Sequence, residues 1–267
     1  MEPYVIHPAT SGEIPVILSV PHCGTAFPDE LKDEYKDELI QAPDDTDWFV
    51  DKLYDFAPAL GITMIKAVYS RWVIDLNRNP DSAPLYNDGR IITGLCPSTN
   101  FLGQSIYRDN RSSVDRDEIE KRLEKYYWPY HNKLQELLTQ AKDKFGKVLV
   151  WDCHSIRQYV KTIQNDKFPD LILGSADQTS APDHIVKLSL EQLSKGNYQL
   201  QHNHPFKGGF ITRHFGRPSE NTFALQLEMT KVNYMNDDET LYDHTRAERM
   251  RSVLADTLLA VAKKLVS

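Results

Sequence analysis

Six short apolar runs rich in β-branched and aromatic residues punctuate the chain: Ile14–Val20, Ile62–Val68, Trp72–Leu76, Val148–Trp151, Leu171–Leu173 and Phe223–Leu227. Gly, Pro, Asn or Asp bounds each of them, and most lack the polar alternation of a half-exposed strand, so they read as strands buried on both faces. Helical patterns alternate with them at about Asp47–Leu60, Asp117–Phe145, Asp183–Leu193 and Asp238–Val266. That order predicts an α/β fold, a three-layer sandwich with a mixed, largely parallel central sheet and helices on both faces. No internal repeat, low-complexity tract or linker interrupts it, and 267 residues with 40% hydrophobic content suit one domain over 1–267.

Asp115 and Glu118 stand three apart as a capping box, and Pro129 predicts a kink or break near Tyr127–Pro129. Two long loops are expected. The first, Arg78–Ser113, carries Pro80, Pro84 and Pro97, and the second spans Asn203–Asn221. Structureless segments of such length are usually lids or binding loops.

A net charge of −7 without a basic block argues against nucleic-acid binding. No apolar run approaches the roughly 18 residues of a membrane helix, and Met1-Glu2-Pro3-Tyr4 lacks a signal-peptide pattern, so a cytoplasmic protein without membrane contact is expected. Three cysteines without CxxC spacing fit a reducing compartment. The oligomeric state is left open, a homo-oligomer included.

In open α/β sheets ligands bind beyond the carboxyl ends of the strands. Here three strands run into Val20-Pro21-His22-Cys23-Gly24, Trp151-Asp152-Cys153-His154-Ser155 and Gln226-Leu227-Glu228-Met229-Thr230. Catalytic zinc typically takes three ligands from His, Asp and Glu. His22 and His154 supply two nitrogens, and the third ligand is expected from Asp44-Asp45-Thr46-Asp47. Cys23 and Cys153 invite a Cys–His reading, yet neighbours along a strand face opposite ways, so they are expected in the core. Ser155 lacks a G-x-S-x-G elbow. Arg71, Arg78 and Arg213 suggest a small anionic substrate, because guanidinium groups pair with carboxylates. Gly208 and Gly209 would let backbone approach that ligand. His204 and His214 read as solvated loop histidines.

The chain resembles the N-formylglutamate amidohydrolases. The resemblance is carried by Val20-Pro21-His22-Cys23-Gly24, the stretch Asp45 to Tyr54, Ser70-Arg71-Trp72-Val73-Ile74-Asp75-Leu76-Asn77-Arg78, Asp152-Cys153-His154-Ser155, Asn203 to Gly209, and Leu227-Glu228-Met229. It implies a phosphorylase/hydrolase-like fold distantly similar to zinc carboxypeptidases and aspartoacylases. Those relatives draw two ligands from a His-x-x-Glu pair, whereas Thr25 stands three residues after His22. The resemblance therefore implies one Zn2+ or another divalent metal on His22, His154 and Asp47, with Asp45 as the alternative carboxylate. It further implies hydrolysis of an N-acyl amino acid, most simply N-formyl-L-glutamate to formate and glutamate, as in histidine degradation. Glu228 would be the general base, Arg78 would hold the oxyanion, and Arg71, Asn77, Gly208, Gly209 and Arg213 would contact substrate. Two rival readings are a metal-independent hydrolase on Cys153 or Ser155 and a non-catalytic binder of small carboxylates.

Overall fold

The computed structural model describes residues 2–81 and 94–267. Seven strands, β1 (Tyr4–His7), β2 (Val16–Val20), β3 (Thr63–Ala67), β4 (Val148–Ile156), β5 (Leu171–Gly174), β6 (Leu200–His202) and β7 (Thr222–Thr230), form one mixed sheet in the order β1-β3-β2-β4-β7-β5-β6. Of its six pairings four are parallel, and only β1–β3 and β5–β7 run antiparallel. The helices are α1 (Asp37–Ile40), α2 (Val50–Leu53), α3 (Arg116–Arg122), α4 (Trp128–Phe145), α5 (Asp183–Leu193), α6 (Phe210–Phe215) and α7 (His244–Val266).

The strand period of two divides the core. Leu149, Trp151, Cys153, Leu225 and Leu227 pack with side chains of α2, α5 and α7 on one face. Val148, Val150 and Ala224 pack with Leu134 and Leu138 of α4 and with Ile211 and Phe215 of α6 on the other. The result is the expected three-layer α/β sandwich. Each fully buried Leu, Ile or Phe contributes about 1.5–3 kcal/mol, so both faces are needed. No helix of the described residues is long and apolar enough to cross a membrane.

Trp72–Leu76 is not a strand, contrary to its sequence pattern. Its residues are buried, but they form a turn whose carbonyls are satisfied by side chains. The Tyr35 hydroxyl donates to Trp72 O, Arg122 Nη1 to Val73 O, and His131 Nε2 to Leu76 O. With those partners the buried backbone needs no ladder. Edge strands β1 and β6 escape the sequence pattern because they are short and partly exposed.

The helix expected over Asp47–Leu60 is present only as α2 and a 3-10 turn at Ala57–Leu60 that starts around Pro58. Asp115 does cap α3, accepting from Glu118 N at 2.9 Å. Instead of a break at Pro129, a π turn at Leu123–Tyr127 widens the helix just ahead of it, which relieves the clash of the proline ring with the preceding turn. Asn203–Asn221 is not wholly loop, since it contains α6. The last helix begins at His244, capped by Asp243, rather than at Asp238. Of the first expected loop, 82–93 lie outside the described residues.

Candidate active site

The chain leaves β2 toward β3 on one side and continues from β4 toward β7 on the other, so the crevice between β2 and β4 is the topological switch point of the sheet. His22 follows β2 by two residues, and His154 lies inside β4 next to its end. Neither β4 nor β7 stops where the sequence suggests: both run on through His154 and Glu228, which are register partners on adjoining strands. Asp47 enters from the turn before α2, held by its own N–H on His22 O at 3.0 Å.

Both imidazoles turn Nδ1 toward one carboxylate oxygen. His154 Nδ1 lies 3.1 Å and His22 Nδ1 3.7 Å from Asp47 Oδ2, and one donor atom from each of the three residues falls within 4.8 Å of the others. Ligand atoms around a tetrahedral zinc stand about 3.3 Å apart, given metal–ligand bonds near 2.0–2.1 Å. His22 Nδ1 is buried and has no hydrogen-bond partner among the described residues. A lone pair left bare beside a carboxylate and a second imidazole is what a cation would satisfy. The residues therefore fit a divalent metal.

The Nε2 atoms face the opposite way, each onto another aspartate: His22 on Asp75 Oδ1 at 2.7 Å and His154 on Asp152 Oδ2 at 2.9 Å. With a metal bound, such carboxylates would fix the tautomer so that Nδ1 faces the ion. Their charges differ in effect. Burial and then the Arg71 guanidinium depress the pKa of His22. Burial also opposes charge on His154, but the Asp152 and Asp47 carboxylates outweigh it and hold that pKa well above its usual value.

Asp45 engages both oxygens elsewhere, accepting from Trp72 Nε1 at 2.8 Å and Phe101 N at 2.9 Å. It thereby ties Phe101 and Trp72 to the turn before α2. Glu228 is buried, with the Gln226 amide nitrogen 3.5 Å from Oε2. Burial pushes its pKa up to about 8, with the Asp47 charge adding to the effect and His154 opposing it.

Arg71 is buried and donates to Asp75 Oδ2 at 2.6 Å, while Arg78 Nε lies 3.8 Å from the same oxygen. Asn77 is a hub: its Nδ2 faces Asp152, His154 and Gln226, and its Oδ1 accepts from Ile211 N. This carboxamide docks α6 against the sheet edge. Gly209 is required there, because a Cβ would stand 2.4 Å from Asn77 Nδ2, and Gly208 takes φ +108°. Arg213 lies exposed on α6 and donates from Nε to Gly208 O. His204 and His214 are also exposed.

Cys153 is buried in the core and Cys23 half-buried, and burial raises both thiols well above their normal range. Ser155 Oγ meets the Tyr234 hydroxyl at 2.7 Å. Asp75, Asp152 and Gln226 are the members of this network that sequence reasoning misses as functional. One signal existed: Asp152 and Gln226 stand two residues before His154 and Glu228, hence on the same face of their strands.

A sequence profile of the N-formylglutamate amidohydrolase family matches residues 14–235. N-formylglutamate deformylase of Pseudomonas putida is 36% identical over 253 residues, covering 94% of this chain and 93% of that protein. The Pseudomonas aeruginosa enzyme of the same name is 36% identical over 249 residues, covering 92% of each. The crystal structure of N-formylglutamate amidohydrolase from Ralstonia eutropha JMP134 superposes with a TM-score of 0.79 at 25% identity, covering 97% of this chain and 98% of that one.

Proposed function

Because the chain belongs to the N-formylglutamate amidohydrolase family, we propose that it hydrolyses the amide of an N-acyl amino acid, N-formyl-L-glutamate first among them. The observation that carries this reading is the convergence of two imidazole Nδ1 atoms and Asp47 Oδ2 beside a buried glutamate on the adjoining strand. His22, His154 and Asp47 are the residues that would hold a divalent cation, zinc by ligand type. Zinc, when bound, supplies Lewis acidity to an amide carbonyl and to water.

The chain's own residues do the rest. The Glu228 carboxylate takes a proton from the water that attacks the formyl carbon. It returns that proton to the amine nitrogen as the C–N bond breaks, which leaves formate and glutamate. A carboxyl that burial holds near 8 in the free chain suits both roles, and an adjacent divalent charge favours its ionised form for the first. Asp75 and Asp152 keep the two imidazoles in one tautomer and orientation. Arg78, half-buried and tethered by Asp75, is the cation for the developing oxyanion. Arg71 beside the ligand set and Arg213 on α6 are the guanidinium groups for the substrate α-carboxylate. Asn77, Gly208 and Gly209 set the position of α6 beside that pocket.

A nucleophile at Cys153 or Ser155 is disfavoured, since the thiol lies in the core with its pKa raised and the hydroxyl faces Tyr234 rather than a base. Nothing in the geometry favours a non-catalytic binder over a site with Glu228 in place. Release of formate and glutamate from N-formyl-L-glutamate is expected, lost with a chelator and restored by zinc. N-acetyl- and N-succinyl-glutamate and N-formyl-aspartate should react more slowly. Undiminished turnover after exhaustive chelation would refute the metal-dependent reading.

A further inference from the structure

Lys231 follows the last residue of β7, only three positions beyond Glu228, and its side chain is almost wholly buried, with 2% of the residue exposed. A lysine so buried is normally paired with a carboxylate. Among the described residues Lys231 forms no ion pair. Its ammonium donates one long hydrogen bond, 3.3 Å, to the peptide oxygen of Asp44.

The acids around it are committed elsewhere. Asp44 Oδ1 and Oδ2 accept from Arg157 Nε at 3.0 and 3.1 Å. Glu239 takes Arg157 Nη1 and Gln158 N. Asp45 takes Trp72 and Phe101. Asp47 faces the two imidazoles, so Asp47, Asp44 and Glu239 act on the ammonium only through their fields, against burial and the Arg157 charge. A buried ammonium with no carboxylate in contact is costly, and that cost points to a missing anion.

Lys231 lines a cleft with Asp44, Asp45, Leu102, Ser155 and Arg157. The three segments that deliver Asp47, His154 and Glu228 thus supply its walls within one to three residues. At strand rise, Lys231 lies about 10 Å along the chain from Glu228. The free interior is about 10 Å³, room for roughly one water-sized group. Only the tip of a side chain entering from the mouth fits.

We propose that Lys231 binds the side-chain carboxylate of the acyl amino acid and so sets the preference for an acidic substrate. The inference rests on the acyl-amino-acid reading above. The α-carboxylate is one bond from the carbon bearing the scissile nitrogen and stays close to the metal ligands. The side-chain carboxylate of glutamate is two methylenes farther out, on the side of the substrate that the long Lys231 side chain would have to meet.

The test compares the parent protein with Lys231→Met and Lys231→Arg. Hydrolysis of N-formyl-L-glutamate and of its neutral isostere N-formyl-L-glutamine is followed, together with calorimetric binding of glutarate and thermal unfolding. In Lys231→Met the ratio of kcat/KM for the acidic over the neutral substrate should fall at least about tenfold, mainly through KM, and glutarate affinity should fall likewise. Its Tm should rise, because a buried charge with no partner is gone, whereas a structural lysine predicts a fall. Lys231→Arg should retain most of the preference. An unchanged ratio with unchanged glutarate affinity overturns the proposal, as does an equal loss on both substrates with a lowered Tm. If the parent cleaves neither formyl substrate, the proposed reaction fails and glutarate alone decides: binding lost in Lys231→Met upholds a carboxylate site at Lys231, and binding unchanged or absent from the parent overturns it.

Discussion

His131 and His154 are equally shut off from water, at 4% and 3% exposure, and occupy regions of opposite character. His131, on α4, sits in an aromatic box. Tyr127 stacks on it at 4.1 Å and Phe215 at 5.9 Å, Phe210 meets it edge-on, and its Nε2 donates to Leu76 O. There burial drives the pKa down to about 3. His154, at the sheet edge, stands between two aspartates that overcome the same burial and raise its pKa well above normal. Burial alone therefore does not mark a functional histidine; the carboxylates aimed at its ring do. One histidine holds the turn that carries Asp75 and Asn77, and the other turns Nδ1 to Asp47 in the crevice, 3.1 Å from its Oδ2.

The sharpest way to break this comparison is to remove each ring. His154→Ala should abolish stoichiometric zinc binding and with it turnover, while the fold survives because a domain of this size buries its own core. His131→Ala should do the reverse, keeping the metal and losing about 2–4 kcal/mol of stability to the cavity. Metal analysis and urea unfolding of both variants check the pair. Equal zinc loss in the two would erase the distinction. Next in size is Glu228→Gln, which keeps shape but removes the base: kcat should fall about a hundredfold to ten-thousandfold with zinc content unchanged. Near-parental turnover would assign the proton transfer to another group.

A smaller effect separates ligand from support. Asp152→Asn leaves His154 its partner's shape but not its charge, and should weaken zinc affinity or activity by about 10–100-fold in a chelator competition. Asp152 is a cleaner choice than Asp75. Asparagine at position 75 would also strip Arg71 of the carboxylate 2.6 Å away and leave a buried guanidinium unpaired.

Much of this crevice was legible because its residues come in short motifs at strand ends, where local pattern and topology agree. His22 and His154 could be chosen by donor type and strand-end position alone. The choice between Asp45 and Asp47 could not, since it turns on where Trp72 Nε1 and Phe101 N point, and both belong to segments distant from the aspartates in sequence. Trp72–Leu76 misled for a related reason. Its apolar run is genuine, but a long-range partner, Arg122 on α3, satisfies its backbone in place of a neighbouring strand. The ammonium of Lys231 left no sequence signal at all, because a lysine is unusual only once it is seen to be buried.

The smallest predicted effect reads the His131 box through pH. Its folded pKa near 3 lies below the unfolded value of about 6.5, so as pH falls the unfolded chain takes up the proton first. The burial contribution is fully present above about 6.5 and is lost as pH falls toward 3, with a limiting slope of about 1.4 kcal/mol per pH unit. Between pH 6 and 5 Glu228 and the other histidines contribute to parent and variant alike, so the difference between the two slopes isolates His131. Urea unfolding across that interval should show the parent losing more stability per pH unit than His131→Gln, by up to that slope. The amide can still donate toward Leu76 O but cannot titrate. If the two slopes coincide, the box does not hold a neutral imidazole, and the contrast with His154 rests on ligand geometry alone.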